Sequence, residues 1–180
     1  MKTIAVILSL LQVWLVVAMP TCRLEGHLVQ LAHDLLQNLG ENISVHCLPY
    51  NANMSFPESV LTGANKSSLQ CHKALWVVSE SLRGAAQIME DSIPFGEGGE
   101  PWNKNTFSDF QNLQYQILDQ GQCLTYKDTT GVLASYFTNM TTIIQQEDIA
   151  FCGWMALRRD LLRVLKSTLQ KHDTCFTWRD

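Results

Sequence analysis

The apolar positions of this chain recur at helical spacing in five separate stretches. In the last of them, Trp154, Leu157, Leu161, Val164 and Thr168 fall every three or four residues. That spacing lays them on one face of a helix running through Phe151 to Leu165 and beyond. Arg158, Arg159, Arg163 and Lys166 are assigned to its remaining, basic surface. Glu147 and Asp148 precede the stretch and Lys171 and His172 close it, the charge order that a helix dipole favours.

The other four stretches come earlier. Leu24, Leu28, Leu31, Leu35 and Leu39 predict a first helix that stops at Gly40. Ser67-Ser-Leu-Gln70 has the form of a capping box, opening a helix along Leu75, Val78, Leu82, Ala85 and Met89 to about Asp91. Thr106-Phe-Ser-Asp109 reads as another cap, ahead of Phe107, Phe110, Leu113 and Ile117. A fourth pattern begins at Asp128 and carries Leu133, Tyr136, Met140 and Ile143. Between the first two helices, Glu41 to Lys66 has no sustained period and contains Pro49, Pro57 and Gly63. This is a long connection of the kind that is functional or a crossover, and its Leu48, Tyr50, Phe56 and Val60 are expected to lie against the body. Ile93 to Asn105, rich in Gly and Pro, forms a turn. No stretch alternates in the manner of a strand, and no repeat or second-domain linker is present. The fold class is all-α, with one domain of five helices.

The first residues add a location. Lys2 precedes the apolar run Ile4 to Val17, which is too short to span a bilayer comfortably. With Val16 and Ala18 at the small-residue positions, residues 1–18 read as a signal peptide and 19–180 as the secreted domain. Loss of Lys2 moves the formal charge from −4 to about −5. A mildly acidic chain without basic tracts argues against nucleic acid or an anionic membrane as the partner. Asn42, Asn53, Asn65 and Asn139 each open an Asn-x-Ser/Thr triplet, the expected glycosylation sites of an extracellular protein.

Six cysteines, Cys22, Cys47, Cys71, Cys123, Cys152 and Cys175, all follow the signal segment. In an oxidising compartment they are expected to form disulfides, among fifteen possible pairings. An up-up-down-down bundle with long crossovers orders them by position. Cys22, Cys71, Cys123 and Cys175 fall at one end, and Cys47 and Cys152 at the other. A disulfide needs Cα atoms within about 7 Å, so Cys47 is left with Cys152 as its partner. The four at the other end are not resolved by this matching.

Catalytic chemistry has no support in the sequence. His27, His33, His46, His72 and His172 are scattered, without a spaced metal set, a phosphate loop, a nucleophile elbow or a dinucleotide fingerprint. Asp109 and Asp119, or Glu80 and Glu90, read as solvated helix faces. No metal or cofactor is expected. Trp76 and Trp102 suit a core better than an exposed binding anchor. The one unusual concentration is Arg158, Arg159, Arg163 and Lys166 within nine residues, in a chain holding 13 Lys and Arg in all. Such a face suits a partner with an acidic patch.

Cys152-Gly-Trp-Met-Ala-Leu-Arg158 resembles the Cys-Ala-Trp-Glu-x-x-Arg signature of type I interferons. Met140-Thr-Thr-Ile-Ile-Gln-Gln-Glu-Asp148 leads into it as the preceding helix does in that family. Phe56-Pro57, and Pro101-Trp102 ahead of Phe107 to Phe110, look like the fish branch. The resemblance implies a helical cytokine bundle with bridges Cys22–Cys123 and Cys47–Cys152, to which Cys71–Cys175 would be an addition. It implies a secreted, monomeric antiviral ligand that joins two class II cytokine receptor chains and starts JAK–STAT signalling. By position, Arg158, Arg159, Leu162 and Arg163 would face the high-affinity receptor chain, together with the first crossover. The second chain would meet the opposite side, made by the second, third and fourth helices.

Two departures qualify the match. Met155 stands in place of the acidic residue and Gly153 in place of Ala, and Glu41 to Asn65 contains no Lys or Arg. They open the alternative of an interferon-like ligand with weak or inhibitory activity. A secreted helical carrier or enzyme is the reading of another class; it would need an oversized apolar cavity or convergent titratable groups, and the sequence offers neither.

Overall fold

The computed structural model describes residues 22–40, 44–61, 67–92, 94 and 102–178. The expected signal peptide, the triplets at Asn42 and Asn65, and most of the Gly/Pro-rich turn lie outside them, as does the side chain of Asn53. The described helices are α1 (Gly26–Asn38), α2 (Glu58–Leu61), α3 (Ser68–Asp91), α4 (Lys104–Gln120), α5 (Val132–Ile144) and α6 (Ala150–Lys171). Among the described residues the only strand-like pairing is an isolated parallel bridge between Glu25 and Thr177.

Direction follows from which ends meet. Thr177, beyond the end of α6, donates its N–H to Leu24 O at 2.9 Å, and Gly26 N–H returns to Thr177 O at 2.9 Å. α1 therefore starts where α6 finishes. Cys22 is bonded to Cys123, just past α4, with Cα atoms 5.8 Å apart. Cys71, in the first turn of α3, is bonded to Cys175, past α6, with Cα atoms 5.2 Å apart. So α1 and α3 run one way and α4 and α6 the other, an up-up-down-down arrangement. Cys47 and Cys152 are bonded at the opposite end, with Cα atoms 5.3 Å apart. α1 packs between α4 and α6, α3 closes the ring against the same two helices, and α5 lies on α6 and α3.

The core is the shared interior of these helices. Leu36, Leu82, Phe110, Ile117, Met140, Leu157, Leu161 and Leu165 are fully enclosed. Trp76, Trp102 and Trp154 are buried as well, with Trp102 and Trp154 meeting edge to face at 5.6 Å. At roughly 2 kcal/mol per fully buried large side chain, this interior supplies the main driving force for the fold.

Several boundaries differ from the expectation. The first helix buries Val29, Ala32 and Leu36 along with Leu24 and Leu39, whereas Leu31 is 38% exposed. A helix squeezed between two neighbours buries the arc facing both, and here that arc is rotated from the densest line of leucines. α4 begins earlier than the Thr106 cap because Asn103 Oδ1 accepts from the N–H groups of Asn105 and Thr106, at 3.0 and 3.1 Å. α5 begins later than Asp128, which instead accepts from Thr130 N–H at 2.9 Å in a turn. Gly131 then takes φ +62°, a left-handed conformation that suits glycine, to enter the helix. Ser67 does cap α3, accepting from Gln70 N–H at 3.3 Å.

Candidate functional site

The long connection between α1 and α3 is built against the start of α6. It contains a 3-10 segment, Val45–Met54, followed by the single turn α2. Cys47 anchors the beginning of the 3-10 segment through its disulfide to Cys152 in the first turn of α6. Met54 and Phe56 anchor its end by burial, and the Phe56 ring meets Tyr136 of α5 at 5.0 Å. Val45, Leu48 and Tyr50 turn the other way and are 76%, 57% and 42% exposed. The expectation that Leu48 and Tyr50 lie against the body is thereby corrected. Disulfide and core contacts fix the inward side of a short segment, and its remaining apolar side chains have no place but the surface.

The arginines of α6 explain how the segment is held. Arg158 is not on the outer face, as expected, but only 7% exposed. It lies one turn after Trp154 and one turn before Leu161, on the inward stripe. Its Nε donates to Leu36 O at 2.7 Å, and one terminal nitrogen donates to Gln37 O and Gly40 O at 2.9 and 2.6 Å. These carbonyls lie at the end of α1, where Leu36 O also accepts from a nearby backbone N–H, that of Leu39 at 3.4 Å, so a cation is favoured there by hydrogen bonding and by the helix dipole.

Arg159 is half-buried and reaches the crossover. It donates to Met54 O at 2.6 Å and to the side-chain oxygen of Asn51, while its Nε donates to Asp160 Oδ1 at 2.7 Å. Asp160 is 1% exposed and accepts from the Tyr136 hydroxyl at 2.8 Å and from the Phe56 backbone. Burial raises its pKa above the ordinary 3.8, against the lowering effect of Arg159 and Tyr136. Burial also lifts the Tyr136 hydroxyl well above its ordinary value, with the nearby Asp160 charge acting in the same direction. Arg163 lies further out and pairs with Glu58 of α2. Leu162 is half-buried against the core edge.

The result is a platform in which α6 holds the crossover through Cys152, Arg159 and Arg163, and the crossover leaves Val45, Leu48 and Tyr50 exposed. Arg159 and Arg163 belong to it directly, and Arg158 supports it from inside. The exposed apolar trio went unnoticed in the sequence because a segment without a period does not reveal which side faces solvent.

The two departures in the signature also receive a structural account. Met155 is buried, so an acidic side chain at that position would need a partner within the core. A Cβ on Gly153 would approach Ile144 Cγ1 to 2.7 Å, so glycine lets the start of α6 pack closely on the end of α5. Asn139, the one described glycosylation candidate with a described side chain, is exposed on α5.

Nothing at the platform resembles a reaction centre. Among the described residues no group of three or more His, Cys, Asp or Glu is placed to hold a metal ion. No described helix is long and apolar enough to cross a membrane.

The fold is that of a helical cytokine, with its first crossover held against its last helix. The model of the interferon alpha/beta domain matches residues 26–173, and the chain belongs to this family, whose members are cytokines and not enzymes. Its structure is similar to that of zebrafish interferon 2, with a TM-score of 0.65 and 25% sequence identity over 82% of this chain and 98% of that one. No curated protein matches the chain in a sequence comparison.

Proposed function

We propose that this interferon is a secreted antiviral cytokine that binds two class II cytokine receptor chains and triggers JAK–STAT signalling. The observation that carries the reading is the platform on α6. Arg159 and the Cys47–Cys152 bridge fix the crossover, on which Val45, Leu48 and Tyr50 are exposed apolar side chains. Exposed apolar side chains on a rigid, disulfide-anchored segment suit a protein partner, because little ordering entropy remains to be lost on binding. Arg159 and Arg163 join the crossover at Asn51, Met54 and Glu58, Leu162 lies between them in sequence on the same helix, and Arg158 acts by holding the end of α1. The second receptor chain takes the side formed by α3, α4 and α5.

In this reading residues 1–18 are removed on secretion, residues 19–180 form the mature monomeric ligand, and Asn42, Asn53, Asn65 and Asn139 accept glycans. A second reading, a ligand that occupies the receptor without strong signalling, is favoured by one observation. The crossover contributes no Lys or Arg, and the arginines of α6 are engaged by Asn51, Met54 and Glu58 within the molecule.

Refolded mature protein applied to receptor-bearing cells separates the two. The agonist reading expects dose-dependent STAT phosphorylation and induction of antiviral genes. Silence at every dose, combined with competition against an active interferon, would establish the second reading instead.

A further inference from the structure

The base of the bundle holds two disulfides in quite different surroundings from the one at the top. Cys47 and Cys152 are both buried. Cys71 is half-buried, Cys22 is half-buried, and Cys123 is exposed; only Cys175 of these four is enclosed. A solvent-open pocket of about 480 Å³ lies there, lined by Cys22, Arg23, Cys71, His72 and Cys175 among others. Both partners of the third bridge thus line one opening large enough for a small molecule.

We infer that this pocket is a thiol-exchange site, at which a small anionic thiol such as glutathione opens the Cys71–Cys175 bond in the folded protein. Its thiolate attacks Cys71 Sγ, since Cys71 is half-buried and Cys175 is enclosed. A mixed disulfide forms on Cys71 as the Cys71–Cys175 bond breaks, and the electron pair leaves on Cys175 Sγ, which takes a proton from solvent. A second thiol displaces the adduct, giving the oxidised reagent disulfide and a Cys71 thiol. The exposed Arg23 guanidinium on the pocket wall attracts the incoming thiolate.

Exchange there needs no unfolding, because each segment joined by the bridge is also held by other means. The segment after α6 keeps its hydrogen bonds to Leu24 and Gly26, and Phe176 stays buried. The start of α3 keeps Ser67, whose carbonyl accepts from Cys71 N–H at 2.9 Å, and His72, whose ring N–H donates to Thr125 O at 2.7 Å. The Cys47–Cys152 bridge has no such access, and its sulfurs lie at the far end of a helix about 33 Å long. Reduction is therefore graded along the molecule, with the modification site remote from the platform on the crossover.

The test incubates the native mature protein with reduced glutathione at neutral pH, quenches with an alkylating reagent, and maps peptides under non-reducing conditions. The expected result is a glutathione adduct on Cys71 with Cys175 alkylated, at a rate roughly tenfold or more above opening of Cys47–Cys152. Helicity should be retained. An adduct on exposed Cys123 is expected alongside and is consistent with the site. Persistence of Cys71–Cys175 while Cys123 reacts, or its opening only together with Cys47–Cys152, would overturn the inference. The double variant Cys71→Ser/Cys175→Ser supplies the second arm. Native helicity is expected, and its loss would show that the bond cannot open in the folded state.

Discussion

Arg158 of α6 donates through Nε to the carbonyl oxygen of Leu36 in α1 at 2.7 Å, across 122 positions of sequence. This bond, with its companions to Gln37 and Gly40, makes a side chain of the last helix the cap of the first. Arg158→Ala should consequently lower stability by about 2–4 kcal/mol, since three charge-assisted hydrogen bonds from a buried guanidinium are lost. Denaturant unfolding measures this directly. A midpoint equal to that of the parent would contradict the capping role.

Arg163 presents the opposite case. Its partner Glu58 is exposed, and the pair sits in solvent. Arg163→Ala should change stability by no more than about 0.5 kcal/mol, the range of surface ion pairs. Any loss of receptor affinity in that variant would then report on contact with the partner and not on folding. Circular dichroism melts beside binding measurements distinguish the two.

The exposed apolar trio should contain the binding hot spot. Leu48→Ala with Tyr50→Ala is expected to weaken binding to the high-affinity receptor chain by tenfold or more, in line with about 2 kcal/mol for truncation of a central anchor. The melting temperature should stay near that of the parent, because neither side chain is buried. Undiminished affinity in surface plasmon resonance would remove the crossover from the interface.

Asp160 gives the protein an unusual acid response. Its folded pKa is raised above 3.8, so the native state binds the proton more tightly than the unfolded chain does. Linkage then makes this group's contribution most favourable below 3.8, and it is progressively lost as pH rises through the folded value. Asp160→Asn lacks that titration. The stability of the variant relative to the parent should improve as pH rises above 3.8, as judged by urea unfolding at several pH values. A constant difference would exclude Asp160 as the cause. Tyr136 acts in the same sense at alkaline pH: its raised value makes the parent lose stability above pH 10, and Tyr136→Phe should remove that component.

Gly153→Ala restores the alanine of the interferon signature yet should destabilise this chain. The new methyl group meets Ile144 Cγ1 at 2.7 Å, a conflict of the kind that costs about 1–3 kcal/mol and exceeds alanine's helix advantage of about 1 kcal/mol. Ile144→Ala removes the Cγ1 atom at the point of conflict. In a double-mutant cycle the pair should therefore couple favourably. Strict additivity would mean that the two positions do not compete for the same space.

The sequence was legible where periodicity and side-chain chemistry agree. Trp154, Leu157, Leu161, Val164 and Thr168 are all buried, as are Leu75, Val78, Leu82, Ala85 and Met89. These helices bury a single coherent stripe, and a 3.6-residue period records it. α1 was harder because five leucines at regular spacing mark the most apolar line, which is not the centre of the arc pressed between α4 and α6. Arg158 was misplaced for a related reason. Its charge outweighed its position four residues after Trp154, although carbonyls ending at Gly40 offered it partners. The orientation of Val45, Leu48 and Tyr50 depends on a disulfide and on Arg159, both distant in sequence, so no local pattern recorded it.

The pairing of Leu24 and Gly26 with Thr177 has a practical consequence for anyone handling the protein. Residues 24–26 and Thr177 meet at the same pole, remote from the Cys47–Cys152 bridge and the crossover it anchors. An affinity tag, fluorophore or polymer attached beyond Trp178 therefore leaves the crossover unobstructed. The same closeness lets a peptide join the segments before Cys22 and after Trp178 and new ends be opened elsewhere, giving a permuted chain with its crossover intact.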